Sequence, residues 1–119
     1  MMKKVLLLFL VLLCRTTITA QTFEGNVSVK VNETSTITLS TTYSRILQYN
    51  ATGVSYRWYS SNTSIATVSY SSYKNCTVSG KASGSCKVYF HADYYIDGFY
   101  RTYDFYWDVK VSGIVCRDL

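Results

Sequence analysis

Residues 58–88, WYSSNTSIATVSYSSYKNCTVSGKASGSCKV, decide the fold because they fix strand, turn and loop positions together. Trp58 ends a run in which Val54, Tyr56 and Trp58 share one side and Ser55, Arg57 and Tyr59 the other, the period-two pattern of a strand. Ser60 to Thr63 are four turn-forming residues. Ile65 to Val68 then reads as a short strand, Ser69 to Lys74 as an exposed connection carrying Tyr70 and Tyr73, and Cys76 to Ser79 as the next strand. Gly80 to Gly84 reads as a tight loop, after which Cys86, Val88 and Phe90 alternate inward.

The same pattern extends in both directions. Val27, Val29 and Val31 alternate with Ser28 and Lys30, Asn32 and Glu33 supply a turn, and Ile37 and Leu39 mark a Thr-rich strand. Thr41 to Asn50 reads as an irregular crossing with Ile46 and Leu47 as core contacts. Asp97 and Gly98 signal a two-residue hairpin, followed by Phe105, Trp107, Val109 and Val111 on one face. About seven short strands, no helical period beyond the first twenty residues and no proline define an all-β chain. Two stacked antiparallel sheets bury so many one-sided strands, with Trp58 at the centre.

The order of Trp58, the Ser60–Thr63 turn, the I-A-T-V strand at 65–68 and the V-S-G-K-A-S-G segment at 78–84 resembles the bacterial group 2 immunoglobulin-like domain. The resemblance covers about Val27 to Val111. It implies an immunoglobulin-like β-sandwich of about seven antiparallel strands. It also implies a non-catalytic module for adhesion, binding or structural support at the bacterial cell envelope, as in adhesins resembling intimin and invasin. That family supplies no fixed functional residues. An antibody-type disulfide is excluded, since the second strand has no Cys and Gly84, not Tyr, stands two places before Cys86.

Lys3 and Lys4, an apolar run from Val5 to Leu13 and the small Ala20 have the layout of a secretory signal peptide, with cleavage expected between Ala20 and Gln21. The apolar run is shorter than the roughly 20 residues that span a bilayer, so no transmembrane segment is expected. Cys14 raises the alternative of a lipid-anchored N-terminus, which Leu13 immediately before it disfavours. The expected organisation is a signal peptide at 1–20, one sandwich domain at 21–112 and a tail at 113–119. Cleavage removes Lys3, Lys4 and Arg15, leaving nine basic residues against seven acidic ones. No Lys/Arg cluster remains for a phosphate backbone, so no nucleic-acid partner is expected.

Cys76, Cys86 and Cys116 follow the leader in a chain expected to meet oxidising conditions. If 80–84 closes a hairpin, Cys76 and Cys86 lie opposite each other and can bridge. Two unpaired core thiols, or pairing of Cys86 with Cys116, are the alternatives. A leftover Cys116 could link two chains into a disulfide-bonded dimer or remain a free thiol in the tail. All five asparagines, Asn26, Asn32, Asn50, Asn62 and Asn75, begin N-x-S/T triplets. They are turn residues in a bacterial chain and glycan sites in a eukaryotic one.

The chemistry of an enzyme is hard to assemble from these residues. The one histidine, His91, falls on the outward face of its strand, so no metal cluster of useful spacing can be built and no cofactor is expected. Asp93, Asp97 and Asp104 near the last hairpin read as solvated acids rather than a calcium site. The surplus is tyrosine, twelve in all. Tyr70, Tyr73, Tyr94, Tyr95, Tyr100, Tyr103 and Tyr106 fall in loops or on faces assigned to solvent, and the first six form a surface that could contact a protein or stack on the rings of a surface glycan. The competing reading is that tyrosine is a strand former whose cross-strand packing stabilises a long ribbon.

Overall fold

In a computed structural model, residues 21–113 are described. The expected leader, Cys14 and Cys116 lie outside them. Seven strands form: β1 Thr22–Lys30, β2 Thr34–Thr38, β3 Thr52–Ser60, β4 Ala66–Ser69, β5 Asn75–Gly80, β6 Gly84–Ile96 and β7 Phe99–Ser112. A four-stranded sheet in the order β1-β7-β6-β3 packs on a three-stranded sheet in the order β2-β5-β4. This is an immunoglobulin-like β-sandwich.

One pairing departs from the antiparallel expectation: β1 runs parallel to β7, from Thr22 opposite Phe105 to Lys30 opposite Ser112, with a bulge between Phe23 and Gly25. The two strands lie at opposite ends of the sequence and no hairpin links them, so local turn signals carry no information about their direction. At the end of β1 the chain passes from one sheet to the other, where Val31 bridges Gly80 and donates its N–H to Ser112 O at 2.9 Å. Gly80 is required there, because an added Cβ would lie 2.5 Å from the Lys30 carbonyl oxygen.

The crossing at 41–50 is helical rather than irregular. A short helix α1, Thr41–Arg45, runs into a single π-helical turn, Ile46–Asn50, which buries Leu47 and half-buries Ile46. Tyr43 of α1 packs edge-on to Tyr103 at 5.0 Å and against Phe105 at 4.5 Å, covering the inner side of the long β6–β7 hairpin.

The core gathers the inward residues of both sheets. Trp58 is 2% exposed, with Phe90 at 4.7 Å and Trp107 at 5.3 Å between ring centres. Its Nε1–H donates to Ser72 O at 3.3 Å, so the one polar atom of the indole is satisfied by the β4–β5 connection. Val78 from the facing sheet and Val88 and Val109 beside it are fully buried.

The segment at 80–84 is not a hairpin. β5 and β6 belong to different sheets, and residues 81–83 carry the chain between them. Lys81 and Ala82 both donate their N–H to Ile65 O, and a Cβ on Gly84 (φ 151°) would strike the Ile65 side chain at 2.9 Å. The spacing between I-A-T-V and V-S-G-K-A-S-G therefore encodes a sheet-switching loop seated on Ile65. Cys76 on β5 and Cys86 on β6 then belong to different sheets rather than to the two arms of one hairpin. The cross-hairpin geometry on which the expected bridge rested is therefore absent, and both are free buried thiols. Burial pushes the Cys76 thiol up to about 12, so it is inert rather than reactive.

Candidate binding face

The turn at Asp97–Gly98 has φ of 51° and 81°, the two left-handed residues of a type I′ hairpin, and it sets the register of everything behind it. Along the outward side of β6 and β7 it places Tyr95 opposite Tyr100, Asp93 opposite Thr102, His91 opposite Asp104, Tyr89 opposite Tyr106, Lys87 opposite Asp108 and Ser85 opposite Lys110. β3 and β1 extend these rows sideways. The result is a strip about 34 Å long at the ordinary strand rise, and its chemistry changes row by row.

In the middle lies an aromatic row that crosses all four strands. Tyr59 on β3 stacks on Tyr89 on β6 at 5.0 Å, Tyr89 meets Tyr106 on β7 at 6.3 Å, and Tyr106 meets Phe23 on β1 at 5.5 Å. Cations sit against the row: the Arg57 guanidinium lies 4.8 Å from the Tyr59 ring centre and the Lys87 ammonium 4.8 Å from that of Tyr106.

Toward the hairpin tip, His91 is clasped between two carboxylates, with Nδ1 2.6 Å from Asp104 and Nε2 3.0 Å from Asp93. Ionised carboxylates only accept, so both contacts favour a ring protonated at both nitrogens. Burial works against that charge, but the hydrogen bonds to Asp104 and Asp93 outweigh it and raise the His91 pKa. The Tyr100 hydroxyl donates to Asp93, which with the His91 contact holds the Asp93 carboxyl below its usual range despite some burial. Tyr100 packs edge-on to Tyr95 at 5.8 Å, and the two are 58% and 43% exposed.

Toward the other end the strip hollows into an open groove of about 700 Å³. Asn26, Ser28, Lys87, Asp108 and Lys110 line it, with Tyr89 at its inner end. One wall is the Ser60–Thr63 turn. Ser61 Oγ accepts the Lys87 N–H and the Ser61 N–H donates to Lys87 O, each at 2.8 Å. Asn62 Oδ1 accepts the Ser64 N–H at 3.0 Å, which fixes the turn itself. Lys87 Nζ and Asp108 Oδ1 pair at 2.7 Å across the floor.

The tyrosines singled out from the sequence do not form one surface. Tyr95 and Tyr100 are together at the hairpin tip, whereas Tyr94 is 5% exposed and packs on Tyr103 at 4.8 Å. β6 keeps its alternation to Ile96, so Tyr94 points inward with Phe90, and Tyr103 points inward with Phe105 under Tyr43. Tyr73 is half-buried against Tyr56 at 5.7 Å, and Tyr70, 43% exposed, borders the same ring at 6.0 Å. All five asparagines are exposed; Asn32 (φ 68°) and Asn62 act as turn residues, Asn50 ends the π-helical turn, and Asn26 and Asn75 lie in strands. Asp97 is in the turn, while Asp93 and Asp104 are engaged by His91. The aromatic row, the clasp and the groove are absent from the sequence reading; the outward parity of Tyr59, Tyr89 and Tyr106 was the available signal.

No helix among the described residues is long and apolar enough to cross a membrane. No curated protein matches the chain. Among solved structures, an endo-fucoidan hydrolase of glycoside hydrolase family 107 is similar at 11% identity over 78% of this chain and 13% of that one, with a TM-score of 0.39. The chain thus spans a small fraction of that enzyme, and so distant a likeness says nothing of its activity. The profile of the bacterial Ig-like domain (group 2) family matches residues 17–94. That is well over half of the sequence, and it includes the Trp58 strand, the Ser60–Thr63 turn and the sheet-switching loop: the chain belongs to the bacterial Ig-like domain (group 2) family.

Proposed function

We propose that this chain is an exported, non-catalytic binding module of the bacterial cell envelope, and that the outer face of its four-stranded sheet is the surface it binds with. The observation that carries the reading is the row of groups that β3, β6, β7 and β1 place on that one face: an exposed Tyr95–Tyr100 pair, an aromatic row and a polar groove. Aromatic side chains with polar tips offer contact area at low entropic cost, and the groove supplies hydrogen-bonding groups beside them. Family membership supports the setting, since such domains are typically extracellular or surface-exposed.

The test is binding of the purified, labelled protein to intact cells and envelope preparations. Lys87→Gln with Tyr89→Ser, on the proposed face, is compared with Thr36→Ser with Thr77→Val on the other sheet. The first pair lowers binding at least tenfold and the second leaves it unchanged. Equal binding by both variants contradicts the assignment. N-terminal sequencing of the exported protein, with Gln21 as the first residue, checks the leader.

A further inference from the structure

We infer that the groove at the β1 end of this face takes an anionic polysaccharide. This rests on the reading of the face as the binding surface and adds the class of its ligand. The lining is rich in groups that hydrogen-bond hydroxyls in both senses: the Asn26 amide, the Ser28 and Ser85 hydroxyls, the Asp108 carboxylate and the Lys87 ammonium. A volume of about 700 Å³ lies within the range of ligand sites. Tyr89 at the inner end provides an apolar edge for the C–H side of a sugar ring. Such a mixture of close-set hydroxyl partners and one aromatic suits a polyhydroxylated ring better than an apolar peptide.

The sign of the ligand follows from the charges. Lys87 and Asp108 neutralise each other at 2.7 Å. Lys110 lines the same groove, is exposed and makes no ion pair among the described residues, whereas Lys30, one row further along β1, shares an adjoining depression with Glu33. The lining of the groove therefore carries one uncompensated positive charge, that of Lys110. A carboxylate or a sulfate ester on a saccharide chain is the complement to Lys110, while Asn26 and the Lys87–Asp108 pair take neighbouring hydroxyls. The tyrosines at the hairpin tip lie at the opposite end of the strip, so groove and tip can be separated by mutation.

The experiment is native affinity electrophoresis of the protein produced from the full chain, in gels containing polygalacturonate, dextran sulfate or dextran. Wild-type protein is retarded by the two anionic polymers and not by dextran, and 0.5 M NaCl, with a Debye length well under 10 Å, weakens the retardation. The stronger of the two anionic gels identifies carboxylate or sulfate as the preferred group. Lys110→Gln with Asn26→Ala raises the apparent dissociation constant at least tenfold, whereas Thr36→Ser with Thr77→Val on the three-stranded sheet changes it less than twofold. Thermal melts establish that both variants are folded. Retardation by dextran equal to that by dextran sulfate overturns the anionic class but keeps the groove as a binding surface. Loss in the Thr36/Thr77 variant alone overturns the groove. No retardation in any gel overturns the inference, and if envelope binding still depends on Lys87 and Tyr89 the broader proposal stands with another ligand.

Discussion

The two outer faces of the sandwich are built on the same backbone pattern and carry opposite chemistry. On the three-stranded sheet, Thr34 and Thr36 stand opposite Ser79 and Thr77, with Thr67 and Ser69 opposite the same two on the other side. This is a carpet of short hydroxyl side chains without a charge or an aromatic ring. On the four-stranded sheet the equivalent positions hold five outward tyrosines, Phe23, the His91 clasp and the Lys87–Asp108 pair. Threonine in a strand needs only its β-propensity as explanation. Cross-strand pairs of large side chains stabilise a sheet, and the contrast between the faces teaches where a ligand is to be sought.

The largest test removes the floor that both faces share. Trp58→Ala empties the centre of the core and costs about 3–5 kcal/mol, a large part of the roughly 5–15 kcal/mol available to a small domain. Urea denaturation measures it, and a loss under 1 kcal/mol contradicts the placement of Trp58 between Phe90 and Trp107. Next is the junction between the sheets. Gly80→Ala drives a methyl group into the Lys30 carbonyl, and overpacking of this kind costs about 1–3 kcal/mol. A neutral result would mean that β1 does not cross where it is described.

Smaller effects separate the faces directly. Tyr89→Ala deletes the ring that joins Tyr59 to Tyr106 and lowers stability by about 1–2 kcal/mol, the scale of two aromatic contacts. Thr77→Val on the other face stays within about 0.5 kcal/mol. Equal effects would erase the distinction on which the binding face rests.

The clasp adds a pH dependence to one face alone. His91 is protonated more firmly in the folded chain, so its contribution is complete below the unfolded value of about 6.5 and disappears as pH rises through the raised folded value. Asp93, held low, contributes above about 3.9 and loses its share as pH falls through its lowered folded value. The contribution of the clasp to stability is therefore largest between about pH 4 and 6.5. His91→Gln flattens the decline on the alkaline side, an effect of about 1 kcal/mol or less because the groups are partly exposed. An unchanged profile in that variant would show that the clasp is not charged.

Much of the architecture was legible in residues 58–88, and the reason is local: alternation names the strands, and Gly, Asn and Ser mark where they stop. The fate of a connection was not. V-S-G-K-A-S-G looks like a hairpin until Ile65 is seen to anchor it, and with that anchor Cys76 and Cys86 move from neighbouring strands to opposite sheets. The β1–β7 pairing was hidden for a related reason, since a parallel contact between distant segments leaves no turn to read. The face itself was closer to hand. Counting back from Asp97–Gly98 pairs Tyr95 with Tyr100, His91 with Asp104, Tyr89 with Tyr106 and Lys87 with Asp108. Only the lateral neighbours Tyr59 and Phe23, and the groove wall from Ser61, required the strand order. Tyr94 and Tyr103 were misplaced because the ribbon keeps its inward parity to the tip, where α1 covers it.

The most direct test of the account follows backbone amide shifts by NMR as oligogalacturonate is added to the labelled protein. Saturating shifts are expected at Asn26, Lys87, Asp108 and Lys110, with Thr34, Thr67 and Thr77 unmoved. Shifts confined to the Thr-covered sheet, or spread evenly over both, would contradict it.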